Sequence, residues 1–225
     1  MHSKTNGIVS NNEAKKLVND ASSSLFAANT PEAIFEIPER LGLNKKFHYN
    51  TKKYPNIDFT ISGKDIKKLK QDNILTNDLN IRRIPVDDVL AKLLYAVLWK
   101  QGDLQKVRHI IEGICGESVD GNTITFYQFG RHLANAPEEP IIDQHAIRAF
   151  EVYQNIEKKD DVVDALRRKS TLKIKDKEAV NEYKKWLDEK CSGSKELRKS
   201  IDSVLYAVGK SIKLNGAKNE NNKVD

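Results

Sequence analysis

Asp143 opens a helical pattern in the segment PEEPIIDQHAIRAF, which spans residues 137–150. His145 and Arg148 follow it within about one and a half turns. An aspartate in this position is a typical helix N-cap, whose carboxylate accepts hydrogen bonds from the first free amides. The same amides and the helix dipole favour the ionised carboxylate. A fixed, ionised carboxylate also stabilises a cationic transition state, as in the cleavage of a glycosidic bond, so the two roles are compatible.

Most other catalytic signatures are absent from the sequence. The histidines and cysteines show neither HExxH nor CxxC spacing, so we expect no metal site, no metal cluster and no other cofactor. The phosphate-binding patterns GxGxxG and GxxxxGKS/T do not occur, and neither does GxSxG. These exclusions leave Asp143 as the candidate catalytic residue.

Composition and charge are those of a globular chain with a mild basic bias. Of the 225 residues, 39% are hydrophobic and 31% are charged, which argues against disorder. The formal net charge of +6 is compatible with a nucleic-acid partner without requiring one. No apolar run approaches the roughly twenty residues that cross a membrane. Two cysteines without a paired spacing, and no apolar signal core at the start, predict a cytosolic protein, which we expect to be a monomer.

Apolar residues recur at helical spacing along most of the chain, and no alternation of strands and helices is visible, which predicts an all-α fold. We expect one helical domain over residues 1–213, and a disordered polar tail over 214–225. Residues 42–62 have weak periodicity and indicate a loop. The predicted helices cover residues 11–29, 31–42, 64–73, 85–102, 103–114, 123–136, 143–159, 161–170, 177–190 and 194–214.

The segment 85–102 carries the strongest helical pattern, and Gly102 is expected to end it. Its apolar residues form a wide stripe along the predicted helix. The stripe consists of Val89, Leu90, Leu93, Leu94, Val97 and Leu98. Thr30, Asp103 and Ser194 are expected helix caps, and Pro38 should break or kink the helix that begins at Pro31.

Residues 119–150, VDGNTITFYQFGRHLANAPEEPIIDQHAIRAF, resemble the core of the helix-hairpin-helix DNA glycosylases. Members of that superfamily carry an aspartate in a VDTHVxR-like segment, downstream of a hairpin of the type LPGVGxKTA. Asp143, His145 and Arg148 match the Asp, His and Arg of the second motif in order and spacing. The downstream segment SIDSVLYAVGK also looks like one found in a divergent branch of this group, so the resemblance extends by pattern over residues 85–213.

The hairpin matches the family less closely. Gly121 stands where the glycine of Leu-Pro-Gly would, Thr123 replaces the second hairpin glycine, and Thr125 falls near the lysine position. Because that lysine forms the Schiff base of the strand-cutting members, the resemblance implies a monofunctional glycosylase. The four-cysteine iron–sulfur loop of some members is absent.

The resemblance implies a two-lobed fold that binds double-stranded DNA and flips the target base out of the stack. Asp143 would be the catalytic residue. The implied DNA-binding residues are Gly121, Asn122, Thr123, Thr125, Arg131, His132, His145 and Arg148. The implied base pocket comprises Tyr95, Trp99, Phe126 and Tyr127. Ordinary core packing is the alternative for the aromatic residues, and a solvated surface charge is the alternative for Arg131, His132 and Arg148.

The target base stays open at this point. A damaged base in DNA repair and a modified phage base in antiviral defence are both compatible with the residues. Two other functions also stay open. One is a helical DNA-binding module without catalysis, and the other is a helical protein-interaction module.

Overall fold

The computed structural model describes residues 9–54, 57, 59–82, 88–117, 123–134 and 139–214. In these ranges the regular structure is helical, apart from a single β-bridge between Leu75 and Ile81. The all-α prediction is therefore confirmed. None of the helices in the described ranges has the length and apolarity needed to cross a membrane.

The helices follow the predicted segments closely. In chain order they are α1 (Asn11–Ala27), α2 (Pro31–Phe35), α3 (Ile37–Arg40), α4 (Gly63–Gln71), α5 (Val89–Gln101), α6 (Leu104–Cys115), α7 (Ile124–Ala134), α8 (Gln144–Gln154), α9 (Asp160–Arg168), α10 (Lys177–Cys191) and α11 (Lys195–Ser211). Short 3-10 helices occupy Lys45–Phe47 and Ile174–Asp176.

Local capping explains where several helices begin. The Ser194 hydroxyl accepts a hydrogen bond from the Leu197 amide at 3.2 Å, and the Thr30 hydroxyl accepts one from the Ala33 amide at 3.3 Å. Pro38 divides its segment as predicted, because α2 ends at Phe35 and α3 begins at Ile37. Asp103 is a correction: it precedes α6, but its carboxylate pairs with Lys106 at 2.5 Å and makes no capping bond.

The chain divides into two compact units. Unit 1 comprises Met1–Tyr54, Asp143–Thr171 and Asn181–Asp225, and unit 2 comprises Pro55–Ile142 and Leu172–Val180. In unit 1 the buried faces of α8 and α11 pack against each other and against α1. The centre of this core consists of Ala14, Val18, Ile147, Phe150, Val204 and Val208.

The end of α11 is also anchored in unit 1. Leu214, the last residue of the predicted helix 194–214, is buried, and its amide donates to the Arg167 carbonyl at 3.2 Å. Arg167 is itself buried and donates from Nε to the Ile212 carbonyl at 2.8 Å. Residues 215–225 of the predicted tail lie outside the described ranges.

In unit 2, α6 and α7 cross in close contact because glycines face each other. A Cβ on Gly113 would lie 2.0 Å from the Tyr127 carbonyl oxygen, and one on Gly130 would lie 1.9 Å from the Ile110 carbonyl oxygen. Both positions therefore require glycine for this crossing. Next to it, a hydrophobic cluster joins α4, α6 and α7 through Ile66, Leu75, Leu79, Ile111, Ile114 and Leu133.

The apolar stripe of α5 is largely exposed. Val89, Leu90, Leu93, Leu94 and Val97 are 53–67% exposed, and no residue of α5 is buried. The helix itself forms as predicted, with Asp88 capping the Ala91 amide at 2.9 Å and Gly102 ending it in the left-handed conformation. The predicted helix is therefore confirmed.

We expect Leu93→Glu to change the free energy of unfolding by less than about 0.5 kcal/mol. Leu93 is 61% exposed in α5, and glutamate has nearly the same helix propensity as leucine. Chemical denaturation followed by circular dichroism measures the difference. The matched control is Ile111→Glu, which places a carboxylate in the buried cluster and must destabilise clearly. Equal losses in both variants would mean that the α5 stripe is buried in solution.

Candidate functional site

Asp143 is the N-cap of α8, as the sequence predicts. Its Oδ1 accepts a hydrogen bond from the His145 amide at 2.6 Å, and its carbonyl oxygen accepts one from the Ile147 amide at 3.1 Å. Burial raises the pKa of Asp143 above its ordinary value, while the His145 amide and the charge of Arg148 act in the opposite direction. The residue is partly exposed, and the hydrogen bond from the His145 amide holds its carboxylate in place.

His145 is a neutral imidazole near neutral pH. Burial and the adjacent Arg148 charge lower the pKa of His145 to about 4. Arg148 Nη1 approaches Nδ1 at 2.5 Å, and a guanidinium has only donors, so Nδ1 accepts and the ring proton is on Nε2. The ring meets the Tyr206 ring edge to face, with 5.3 Å between centroids. His145 therefore adds no positive charge beside Asp143, and its predicted contact with DNA stays a prediction.

The predicted phosphate contact by Arg148 is wrong. Its side chain is 0% exposed and donates to the Gly209 carbonyl at 3.0 Å, to the Lys169 carbonyl and to His145. Burial lowers the pKa of Arg148 to about 10, which leaves it charged at neutral pH. Arg148 is thus an internal support of the α8 N-terminus, and its charge favours the ionised form of Asp143.

Gly209 sets the distance between α11 and the start of α8. A Cβ at this position would lie 1.8 Å from the His145 carbonyl oxygen and 3.2 Å from the Ala149 amide nitrogen. Neither atom belongs to a flexible side chain, so a larger residue must displace the backbone that carries Asp143 and His145.

We expect Gly209→Ala to lower the free energy of unfolding by about 2–3 kcal/mol, because the added methyl group overpacks a backbone contact. Urea denaturation measures the loss. The matched control is Gly63→Ala at the first position of α4, where a Cβ meets nothing within 4 Å. If both variants are equally stable, the close contact between α11 and α8 is not maintained in solution.

A groove of about 410 Å³ lies beside this cluster in unit 1. Its lining comes from residues 45–54 together with Tyr206 and Lys210 on α11, and we call it the lysine–tyrosine groove. The Tyr49 ring lies 5.7 Å from the Tyr206 ring, which in turn contacts His145. Burial, and the nearby carboxylates of Asp202 and Asp143, raise the pKa of Tyr49. The groove and Asp143 therefore belong to the same unit, and the Tyr206 ring contacts both Tyr49 and His145.

Asp202 is a second carboxylate in this part of unit 1. Tyr183 donates a hydrogen bond from its hydroxyl to Asp202 Oδ1 at 2.6 Å. Burial raises the pKa of Asp202 to about 7, and the Asp143 charge acts in the same direction. Asp143 and Asp202 are thus two carboxylates in different environments. Asp143 accepts a hydrogen bond from a backbone amide, and Asp202 accepts one from the hydroxyl of the buried Tyr183.

We expect Asp202→Asn to stabilise the protein by about 2 kcal/mol above pH 7 and to have little effect near pH 4. A raised pKa in the folded state gives stability that is present below the unfolded value and is lost as the pH rises to about 7. Asparagine does not ionise, so it removes that loss of stability, and its amide oxygen still accepts a hydrogen bond from the Tyr183 hydroxyl. Urea denaturation at both pH values measures the difference. Asp161→Asn, on the exposed start of α9, should show no such pH-dependent gain.

Two predicted DNA-binding residues of unit 2 are held by Glu139. His132 Nδ1 lies 2.7 Å from the Glu139 carbonyl oxygen, and Arg131 Nη2 lies 3.4 Å from its carboxylate. Gln128 donates to the same carboxylate at 2.6 Å. Both residues remain partly exposed, so their predicted contact with phosphate stays a prediction that must compete with these bonds.

The predicted hairpin lies largely outside the described ranges. Gly121 and Asn122 are not described, so nothing follows for them. Thr123 directly precedes α7, where its carbonyl accepts hydrogen bonds from the Phe126 and Tyr127 amides at 3.0 Å each. Thr125 is partly exposed on the first turn of α7.

The four residues of the predicted base pocket do not form one aromatic cluster. Tyr95 and Trp99 lie on α5, where Trp99 is 65% exposed, and Phe126 and Tyr127 lie on the first turn of α7. Within the described ranges no ring contact joins any two of them. The Phe126 ring instead faces the Lys106 ammonium at 5.1 Å.

Sequence reasoning missed the residues of the lysine–tyrosine groove. The segment NKKFHYNTKKY, residues 44–54, interleaves basic and aromatic residues, a pattern typical of nucleic-acid surfaces. The weak periodicity of residues 42–62 predicts a loop there and does not show this surface. The contributions of Tyr206 and Lys210 required knowledge of the fold, because they are more than 150 residues away in sequence.

In the part of the chain that the structure describes, no three His, Cys, Asp or Glu side chains converge as a metal site. Comparison of the chain with family models, curated proteins and solved structures found no match of any of the three kinds.

Proposed function

We propose that this protein is a monofunctional DNA N-glycosylase in which Asp143 is the catalytic carboxylate. The observation that carries the proposal is the position of Asp143: it is fixed by the His145 amide at 2.6 Å, stays partly exposed, and lies in the same unit as a basic, aromatic groove. The resemblance of residues 119–150 to helix-hairpin-helix glycosylases supports the same function.

The proposed reaction is hydrolysis at the C1′ carbon of a nucleoside. The C1′–N bond breaks, the oxygen of a water molecule bonds to C1′, and the base leaves with a proton. Positive charge develops on the sugar as the bond breaks, and an ionised Asp143 stabilises it. A carboxylate with a raised pKa is also a better proton acceptor for that water.

The surroundings of Asp143 suit this chemistry. His145 is neutral and so does not cancel the carboxylate charge, and the charge of the buried Arg148 favours the ionised form of Asp143. Lys210, whose charge also acts on Asp143, donates to the Lys46 carbonyl and the Tyr206 hydroxyl at 3.3 Å each. These two bonds hold the Lys210 side chain beside the groove.

The test is an excision assay with purified protein. Duplexes carrying alkylated and oxidised purines, and phage DNA with hypermodified bases, are incubated with the enzyme. Abasic sites are labelled with an aldehyde-reactive probe, and the released base is identified by mass spectrometry. We expect abasic sites from at least one substrate, and no covalent product on addition of borohydride. Absence of abasic sites from the whole panel, beside an active reference glycosylase, would overturn the proposal.

A helical protein-interaction module is the second candidate, and the exposed apolar stripe of α5 favours it. DNA binding separates the two functions, because a glycosylase must bind duplex DNA and lose affinity steeply with added salt. Absence of DNA binding at low ionic strength would favour the interaction module.

A further inference from the structure

The lysine–tyrosine groove is lined mainly by basic and aromatic side chains. Lys45, Lys52, Lys53 and Lys210 contribute to it together with Lys46, and none of the described residues that line it is acidic. Ammonium groups gathered around one concave surface repel one another, and a bound anion relieves that repulsion. The charge of the lining therefore indicates an anionic ligand.

The aromatic part of the groove indicates that the ligand also has a flat, apolar face. The Tyr49 ring lies 5.7 Å from the Tyr54 ring at an interplanar angle of 30°, and 5.7 Å from the Tyr206 ring at 87°. Tyr54 is 43% exposed, although the Tyr49 ring lies beside it and the Lys53 ammonium lies 5.3 Å from the centre of its ring. An exposed ring beside lysines is the arrangement on which bases of a single strand stack.

Local hydrogen bonds shape the groove before any ligand binds. The Asn50 side chain accepts the amides of Lys52 and Lys53 at 3.0 Å each, and the Asn50 carbonyl accepts the Tyr54 amide at 2.9 Å. Asn44 accepts the Lys46 amide in the same way at 3.0 Å. These turns fix the backbone of the lysines and of Tyr54, which lowers the entropy lost on binding.

We propose that the lysine–tyrosine groove binds a nucleotide of a single-stranded segment of nucleic acid, with its phosphates on the lysines and its base against Tyr49 and Tyr54. Its volume lies at the lower end of the range for small-ligand sites, which suits one nucleotide rather than a duplex. An acidic peptide would use the lysines and leave the rings unused. The choice of nucleic acid rests on the proposed function, and the groove thereby receives part of the strand opened around the target base.

Binding is measured by fluorescence anisotropy with labelled single-stranded DNA, single-stranded RNA and duplex DNA, as a function of salt. The protein is the full chain with Asp143→Asn, so that no substrate is consumed. We expect tighter binding of single strands than of duplex DNA. Whichever of single-stranded DNA and single-stranded RNA binds more tightly identifies the kind of nucleic acid that the groove takes. An inorganic polyphosphate of equal charge should compete weakly, because it cannot stack.

Two variants test the lysines and the Tyr54 ring of the groove separately. Lys52→Gln with Lys53→Gln should reduce the salt slope for single strands by about 1.4 and weaken binding at low salt at least about tenfold. Tyr54→Leu should weaken binding about fivefold or more without changing the salt slope. The matched control is Lys64→Gln with Lys67→Gln, which removes the same charge from exposed positions of α4.

Equal losses in the groove and control double variants, full affinity in Tyr54→Leu, or equal competition by polyphosphate would each overturn the proposal. Its failure is distinguishable from that of the glycosylase function. Base excision without groove-dependent binding rejects the groove alone, and groove-dependent binding without excision rejects the catalytic role alone.

Discussion

Asp143→Asn is expected to reduce base excision at least about 100-fold while the protein stays folded and binds DNA. Asparagine retains an oxygen that accepts the His145 amide, so the N-cap of α8 persists. The amide carries no negative charge, however, and it neither stabilises an oxocarbenium-like sugar nor takes a proton from water. Single-turnover excision with the substrate found in the panel measures the rate.

The same variant should be at least as stable as the natural protein at pH 7. Burial raises the pKa of Asp143, so its ionised form costs stability in the folded state, and a neutral side chain removes that cost. A loss of activity together with unchanged or higher stability is typical of a residue kept for function. The wild-type rate should rise with pH, with a midpoint above that of an ordinary aspartate.

A second capping aspartate provides the control for Asp143. Asp88 accepts the Ala91 amide at 2.9 Å at the start of α5, and Asp88→Asn should retain the cap and the full excision rate. Equal rates in Asp143→Asn and the natural protein would remove Asp143 from the mechanism and leave it as a cap only.

The helices were predictable because their signals are local. Caps such as Thr30 and Ser194, the break at Pro38 and the left-handed Gly102 depend on residues within one or two turns. Periodicity then fixes which residues share a face. It does not fix what covers that face: the α5 stripe is visible in the sequence, and its largely exposed position is not.

The candidate site was predictable only in its local part. The residues around Asp143 predict that it caps a helix, and in the structure Asp143 is the N-cap of α8. The role of Arg148 depends on the Gly209 and Lys169 carbonyls, and the groove depends on Tyr206 lying beside Tyr49, so both required long-range contacts. An arginine at the same spacing on an exposed helix face is able to contact phosphate. The spacing in the sequence does not distinguish such an arginine from a buried one.

Arg148→Met is expected to lower the free energy of unfolding by about 3–5 kcal/mol, the range found when one partner of a buried charged network is removed. Methionine has a similar length, but it leaves the Gly209 and Lys169 carbonyls and His145 Nδ1 without their donor. Each buried acceptor without a partner costs about 1–3 kcal/mol. Urea denaturation of the purified variant measures the loss.

Arg168→Met is the matched control, because Arg168 is 48% exposed and pairs with Asp164 at 3.5 Å at the surface of α9. Its stability should change by less than about 0.5 kcal/mol. Comparison of the two variants also tests whether Arg148 is an internal support of α8 and not a phosphate contact. If Arg148→Met were as stable as the control and reduced the salt slope of DNA binding by about one, Arg148 would contact phosphate after all. A large loss of stability in Arg148→Met alone means that the arginine supports the backbone on which Asp143 is held.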